Sequence, residues 1–286
     1  MNSNQQVSEN FIKMTLKDFN RLGDFIYINY GIRMPQEKHV MLQSRLQKRL
    51  KELKMTNFTD YVDYVLSSEG QNSSELIEMV NQVSTNKTDF FRESQHFDFL
   101  VQEVLPEYTT TRGLKRMIEI WSSASSTGEE PYTLAMVMAN WCSKNPGFDF
   151  SIFGTDISTK VLQNCLDATY HIDKIQPIPL EFKRKYLLKH KDPTVKTVRI
   201  IPELRNKCSF SRLNLMDPYY NIDKMFDIVF CRNVLIYFDK DTQEKVINKL
   251  CMKLRPGGYF FLGHSESIMN INVPLRQIKP TIFVKI

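Results

Sequence analysis

Four short clusters carry the residue types that could hold a ligand. Glu129 and Glu130 follow a run of small residues, Ser122 to Gly128. Asp156 stands alone after an apolar run. Asn214-Leu215 and Arg232-Asn233 follow two further apolar runs. A turn of small residues lets backbone approach a ligand closely. Two carboxylates at a helix start repel a phosphate, which would need the amide donors there. They suit a cation, or the ammonium and hydroxyl groups of a ligand. An ordinary βα loop also favours Ser, Thr and Gly, so this stretch alone leaves both readings open.

The clusters need elements to bring them together. Met117–Tyr132 reads as strand, tight turn and helix, the first unit of a doubly wound α/β domain. The sequence predicts a second strand over 150–155, a third over 208–213 and a fourth over 226–231. It places a helix over 240–254, a turn at Pro256-Gly257-Gly258, a fifth strand over 259–263 and a closing antiparallel pair over 276–286. All four clusters then fall at strand ends, where such folds bind ligands. Asp156, 28 residues after Gly128, stands where these folds hold a ribose diol, or else caps the helix 158–167; the two roles are compatible. GxGxxG and GxxxxGK[ST] are both absent. The set suits a nucleoside with a charged amino-acid tail, and S-adenosylmethionine (SAM) fits better than a dinucleotide.

Upstream, residues 11–85 have apolar spacings of three and four and no β-rich run, which predicts an all-helical domain. Thr15 is the expected cap of a first helix, ended by Gly31 and Pro35. A second, over 37–54, places Leu42, Leu46, Leu50 and Leu53 on one stripe, with Arg45 and Arg49 on another side. Thr59 and Ser73 or Ser74 are expected to cap two more. Thr88 is expected to cap a helix running to about Leu105, with Pro106–Gly113 as a linker. Residues 168–207 break the βα alternation and read as a small antiparallel insertion. Residues 1–10 read as a polar tail.

Composition narrows the class. The chain has 286 residues, 42% hydrophobic and 12% aromatic, enough for a sizeable core. No apolar run approaches the roughly 20 residues of a membrane span, so no membrane insertion is expected. Five scattered cysteines point to reduced thiols and a cytoplasmic setting. The five histidines lie far apart in sequence, so no metal site is expected. The net charge of +6 is local: residues 33–54 carry +5, 55–85 carry −5 and 174–207 carry +7. Local basic patches favour an acidic partner.

Three motifs then give the chain a family likeness. They are Thr85-Asn-Lys-Thr-Asp-Phe-Phe-Arg92, Trp121-Ser-Ser-Ala-Ser-Ser-Thr-Gly-Glu-Glu-Pro-Tyr132 and Phe226-Asp-Ile-Val-Phe-Cys-Arg-Asn-Val-Leu-Ile-Tyr-Phe-Asp239. Gly263-His-Ser-Glu-Ser267 is a weaker fourth. With these the chain, from about 14 to 285, resembles the CheR family, SAM-dependent methyltransferases that esterify glutamates on bacterial chemotaxis receptors. The resemblance implies a Rossmann-like α/β methyltransferase domain over 116–286 with a β-subdomain about 168–207, a linker and cofactor-closing segment over 86–115, and an all-α docking domain over 11–85. It implies that Asn86, Thr88 and Arg92 close over SAM, that Glu129 or Glu130 holds its methionine or sugar end, and that Asp156 takes the ribose. Asn214-Leu215 and Arg232-Asn233 then surround the adenine and the methionine tail. Arg92 and Tyr237 are the candidates beside the acceptor.

The implied reaction is direct displacement by a glutamate carboxylate, giving a methyl ester and S-adenosylhomocysteine. A glutamate is already ionised at neutral pH, its unperturbed pKa being about 4.3, so no strong general base is required. The implied partner is the acidic coiled-coil region of a receptor, docked on Arg45 and Arg49 of a monomer, and nucleic acid is not expected. A nucleic-acid methyltransferase usually carries an Asp/Asn-Pro-Pro-Tyr-type strand end or a catalytic Cys, and Asn233-Val-Leu-Ile-Tyr237 lacks the prolines. A non-catalytic SAM-sensing module is the other alternative, against which the retained Asn86, Arg92, Asp156 and Asn233 speak. The chain departs from many members at Ser123-Ala124-Ser125, where they have Ala-Gly-Cys. It also lacks a Gly-flanked turn in the β-subdomain, so docking of a receptor C-terminal peptide is not expected.

Overall fold

The computed structural model describes residues 11–111 and 117–286. The expected polar tail, 1–10, and part of the expected linker lie outside the described residues. The chain forms two compact units, Met1–Ser84 and Thr85–Ile286.

The first unit is helical, with α1 Leu16–Tyr30, α2 His39–Leu53, α3 Phe58–Leu66, α4 Ser68–Gln71 and α5 Ser74–Val83. The Thr15 hydroxyl accepts the amide of Asp18 at 3.1 Å and caps α1, and left-handed Gly31 ends it, as its permissive backbone allows. Leu42, Leu46 and Leu50 are fully buried. Ser73, not Ser74, caps α5. Thr59 is not a cap: Asn57 performs that role at 2.8 Å from the amide of Asp60, and Thr59 donates to Asp18 inside the unit.

The basic residues on α2 also require correction. Arg45 and Arg49 were expected on a solvent-facing docking stripe, and both are committed inside the unit. One Arg45 nitrogen donates to the carbonyls of Gln82 (3.3 Å), Val83 (2.9 Å) and Ser84 (3.1 Å). These are acceptors that a helix end leaves unsatisfied, so Arg45 serves as the C-cap of α5. Arg49 forks onto Glu75, whose side chain is 4% exposed, and Tyr61 donates to the same carboxylate at 2.9 Å. A planar guanidinium matches a carboxylate bidentately; that match fastens α2 to α5. The exposed bases of α2 are Lys48 and Lys51.

The second unit is α/β. Its strands are β1 Met117–Ser122, β2 Asp149–Asp156, β3 Thr169–His171, β4 Leu187–Lys189, β5 Thr197–Ile200, β6 Cys208–Arg212, β7 Phe226–Cys231, β8 Leu254–Leu262, β9 Leu275–Lys279 and β10 Ile282–Lys285. Its helices are α6 Gln95–Phe99, α7 Leu105–Thr111, α8 Glu129–Cys142, α9 Thr159–Asp167, α10 Leu180–Tyr186, α11 Pro202–Arg205 and α12 Lys240–Met252. The main sheet has the order β6-β2-β1-β7-β8-β10-β9. Its first five strands run parallel, and β10 and β9 close it antiparallel. β7 is buried throughout, as a central parallel strand covered on both faces must be. Ile118, Ile228, Phe230 and Phe261 meet one core, with α8 and Leu100, Val104 and Leu105. Trp121, Val229, Phe260 and Leu262 meet the other, with Val246, Ile247 and Leu250 of α12. The expected insertion is present as a separate antiparallel sheet, β3-β5-β4.

Several local expectations fail for identifiable reasons. Thr88 precedes no helix; the chain from 84 to 89 is irregular and α6 starts only at Gln95. The helical run does not stop before Pro106. A π turn over Leu100–Val104, with the Leu105 amide reaching the carbonyl of Leu100, carries it into α7. Proline removes an i→i−4 bond, and the widened turn ahead of it has already left that pattern. Pro256-Gly257-Gly258 is not a separate turn; it lies within β8, where the pairing with β7 shifts register between Phe226 and Ile228. Between these pairs β7 advances two residues and β8 five, so the irregularity absorbs three extra residues without ending the strand. No helix among the described residues is long and apolar enough to cross a membrane.

Candidate functional site

β1 lies between β2 and β7 in the sheet, and the chain leaves it in one direction to β2 and later returns on the other side as β7. The crevice beyond the strand ends at such a switch is the expected ligand site. The turn from β1 into α8 is fastened to both neighbours. The amide of Ser123 donates to the carbonyl of Phe230 at 2.9 Å and that of Ser125 to Thr155 at 2.8 Å. The indole of Trp121 donates to the Thr155 hydroxyl at 3.0 Å, and that hydroxyl donates to the carbonyl of Ser123 at 3.1 Å. Gly128 then enters α8 at φ +98, and an added Cβ would lie 2.7 Å from the Tyr170 hydroxyl.

Asp156 ends β2 and grips this turn. One carboxylate oxygen accepts the amide of Ser126 at 2.9 Å and the other that of Ser158 at 3.0 Å. Ser158, not Asp156, caps α9. Burial pushes the Asp156 carboxyl above its ordinary range, against the backbone donors that lower it. The Ser126 hydroxyl donates to the carbonyl of Asn86 at 2.9 Å, bringing the 86–92 segment against the turn.

The two glutamates at the start of α8 have different surroundings. Glu130 accepts the Ser122 hydroxyl at 2.7 Å and pairs with Arg232 at 2.9 Å. The Glu129 carboxylate accepts the Thr127 hydroxyl at 2.6 Å and its own backbone amide, with Lys174 as the nearby positive charge. Burial raises both carboxyls. Among the described residues Glu130 is held in a direct salt bridge by Arg232, whereas Glu129 feels only the more distant charge of Lys174.

Arg232 is the hub of the site. Its side chain is 2% exposed and its second nitrogen pairs with Glu93 at 3.0 Å, so one guanidinium joins the strand end of β7, the start of α8 and the segment before α6. Its Nε is buried without a hydrogen-bond partner among the described residues. Asn233 donates to Glu93 at 3.3 Å. Glu93 is half-buried, which pushes its pKa up, but the charge and hydrogen bond of Arg232 win and hold it below the ordinary carboxylate range.

Glu93 and Glu266 were missed in the sequence. Glu266 is 8% exposed. It accepts four backbone amides: Asn233 at 2.9 Å, Gly263 at 2.7 Å, Val234 at 2.9 Å and Leu235 at 2.8 Å. Burial raises its pKa against these donors. Its position in Gly263-His-Ser-Glu-Ser267 was the available signal, without anything local to say what the carboxylate does.

Backbone strain concentrates here as well. Phe91, Glu93, Ser126 and Asn233 all have φ between 48 and 57, a conformation costing a side-chain-bearing residue of order 1–3 kcal/mol. Each is pinned: the Phe91 amide by the Thr133 hydroxyl (3.1 Å), Glu93 by Arg232, Ser126 by Asp156 and Asn233 by Glu266. Strain held this way is a feature of pre-organised sites.

The remaining expected residues are placed as follows. The Arg92 side chain is 34% exposed and donates to the carbonyl of Lys87 at 3.1 Å. Thr88 is half-buried on the same irregular segment, and Tyr237 is half-buried in a single 3-10 turn after Asn233. Asn214 follows β6 and its side-chain oxygen accepts the amide of Met216 at 3.0 Å; the Leu215 carbonyl accepts the Tyr220 hydroxyl.

Comparison with known proteins agrees with this geometry. The family model described as CheR methyltransferase, SAM binding domain, matches residues 86–284, and the CheR all-alpha domain matches 17–84. The chain is 38% identical to the chemotaxis protein methyltransferase of Borreliella burgdorferi, with all of both chains covered. It is 35% identical to that of Salmonella typhimurium, over 91% of this chain and 87% of the relative. With chemotaxis protein methyltransferase 2 of Pseudomonas aeruginosa it shares 32%, over 94% and 93%. SAM is the cofactor, and the donor set fits it: the carboxylates of buried Glu129 and half-buried Asp156 suit an ammonium and hydroxyls, and the Nε of Arg232, unpartnered among the described residues, suits a carboxylate. By both family models and by identity along its whole length, the chain belongs to the CheR family of SAM-dependent chemotaxis protein methyltransferases.

Proposed function

We propose that the protein methylates glutamate side-chain carboxylates of chemotaxis receptors, leaving glutamate methyl esters and S-adenosylhomocysteine. What supports this reading is the placing of Glu129, Asp156 and Arg232 around the β1–β7 switch, in a chain similar end to end to chemotaxis protein methyltransferases. SAM supplies an electrophilic methyl group when bound. Asp156 holds the ribose, Glu129 takes the ammonium or sugar end, and Asn214-Leu215, Arg232 and Asn233 surround the rest. Asn86, Thr88 and Arg92 form the near wall. An acceptor glutamate is ionised without help, so the protein's work is alignment and exclusion of water. Arg92, a third exposed, and Tyr237 are the groups proposed beside the acceptor carboxylate.

The receptor is proposed to be an acidic coiled coil in the cytoplasm. The docking charge is proposed to lie on the basic face of α2, where Lys48 and Lys51 are exposed and Lys48 stands 3.6 Å from Glu52. The test is transfer of labelled methyl from SAM to a receptor cytoplasmic fragment, followed by mild alkali. Label released as methanol supports the ester; alkali-stable label, or label on nucleic acid, refutes it.

A further inference from the structure

A second cluster of chemistry-bearing groups in the α/β unit shares Glu93 with the Arg232 network of the cofactor site. Glu93, His96 and His264 come from segments that are remote in sequence, and one ligand atom from each lies within 4.8 Å of the others. Glu93 Oε2 is 3.7 Å from Nδ1 of His96 and 4.0 Å from Nε2 of His264. The two imidazoles meet edge to face, with centroids 5.1 Å apart.

His96 shows what the cluster lacks. It is 2% exposed, and its Nε2 bonds the Thr281 hydroxyl at 2.9 Å. Its Nδ1 is buried with no hydrogen-bond partner among the described residues. A buried polar atom left unsatisfied costs about 1–3 kcal/mol. An imidazole whose far nitrogen is anchored to a protein oxygen, with its near nitrogen bare, is the usual arrangement of a metal-ligating histidine. His96 and His264 also line a cavity of about 320 Å³, together with Phe99, Lys279 and Ile282. Glu93 does not line this cavity, and His96 Nδ1 is closed off from solvent, so His264, at the cavity wall, is the ligand through which an ion would enter.

From this geometry we infer that Glu93, His96 and His264 form a site for a borderline divalent cation of the zinc class. Two imidazoles and a carboxylate are the donors such ions take, with a solvent-filled fourth position. Magnesium and calcium, which demand oxygen ligands, do not fit. Tetrahedral bonds of about 2.1 Å place ligand atoms about 3.4 Å apart, so closure needs small shifts only. His264 is half-exposed and free to make them. The protonation states already suit a metal. Burial, and then the charge of Arg232, push His96 down to about 4, and Glu93 is held ionised by Arg232 despite its burial. Arg232, 3.0 Å from the same Glu93 oxygen, and Arg92, 4.0 Å from the other, oppose a cation and set the affinity below that of a dedicated structural zinc site. Lys279 on the cavity wall is offset by Glu103, at 3.9 Å.

The test is titration of the chelator-treated full-length chain with Co²⁺, followed by absorption, with Zn²⁺ added in competition. One Co²⁺ per chain, with visible d–d bands, no thiolate charge-transfer band and displacement by Zn²⁺, is expected. His264→Ala, at a half-exposed position, should weaken binding by roughly tenfold or more without altering circular dichroism. His171→Ala, which removes an exposed imidazole 3.1 Å from Asp173, should leave binding unchanged. Zn²⁺ should raise the melting temperature of the wild type more than that of His264→Ala. Equal Co²⁺ affinity in wild type and His264→Ala, a thiolate charge-transfer band, or no saturable binding would overturn the site.

Discussion

Glu266→Gln isolates the carboxylate that shapes the loop carrying Arg232 and Asn233. In the wild type each of its two oxygens accepts two backbone amides, at 2.7–2.9 Å. The substitution keeps size and shape but turns one oxygen into an NH2 donor. Whichever way the new amide faces, two backbone N–H groups lose their acceptor. Each buried unsatisfied donor costs about 1–3 kcal/mol, so the α/β unit should lose about 2–6 kcal/mol. Asn233, at φ +57, loses one of the bonds that hold it, so SAM affinity should fall together with stability. Both tryptophans, Trp121 and Trp141, lie in this unit. Urea unfolding followed by their fluorescence therefore reports on it alone, and calorimetry with SAM gives the binding arm. A variant within about 0.5 kcal/mol of wild type, the scatter of neutral surface changes, with undiminished SAM affinity would refute the reasoning.

Three further outcomes are expected. Arg49→Met leaves Glu75 charged and buried, which typically costs 3–5 kcal/mol; hydrogen exchange should show α2 and α5 opening early while SAM affinity is unchanged, and unaltered protection would contradict the assignment. Gly128→Ala forces a side chain into φ +98 and against the Tyr170 hydroxyl, so SAM binding should weaken at least severalfold by calorimetry. His96 is held neutral in the fold, its pKa lowered from 6.5 to about 4. The unfolded chain therefore binds the extra proton first, and stability present above pH 6.5 should decline as pH falls from there to about 4. Urea midpoints measured in chelator should show that slope, and His96→Asn should flatten it.

The local signals in the sequence were reliable where the physics is local. The Thr15 cap, the leucine stripe of α2, the parallel strands and the small turn before Glu129 each depend on neighbours within a few residues. Their three- to four-residue and alternating patterns are visible without a fold. Local rules failed where a distant partner decides. Arg45 and Arg49 carry the spacing of an exposed basic face, but α5 supplies three carbonyls and a buried carboxylate that capture them. Pro106 and Pro256-Gly257-Gly258 read as breaks, yet a π turn and a bulge carry the chain through.

The family and the cofactor were determined by the sequence alone, because long motifs keep both residue type and spacing. Which glutamate at the start of α8 is committed to a salt bridge was decided only by the tertiary structure, since Arg232 reaches Glu130 from a strand 102 residues away. The same holds for Glu93, Glu266 and the pairing of His96 with His264. A carboxylate or an imidazole has no function until a partner stands within about 3–4 Å, and the sheet, by laying β1 against β7, brings those partners there.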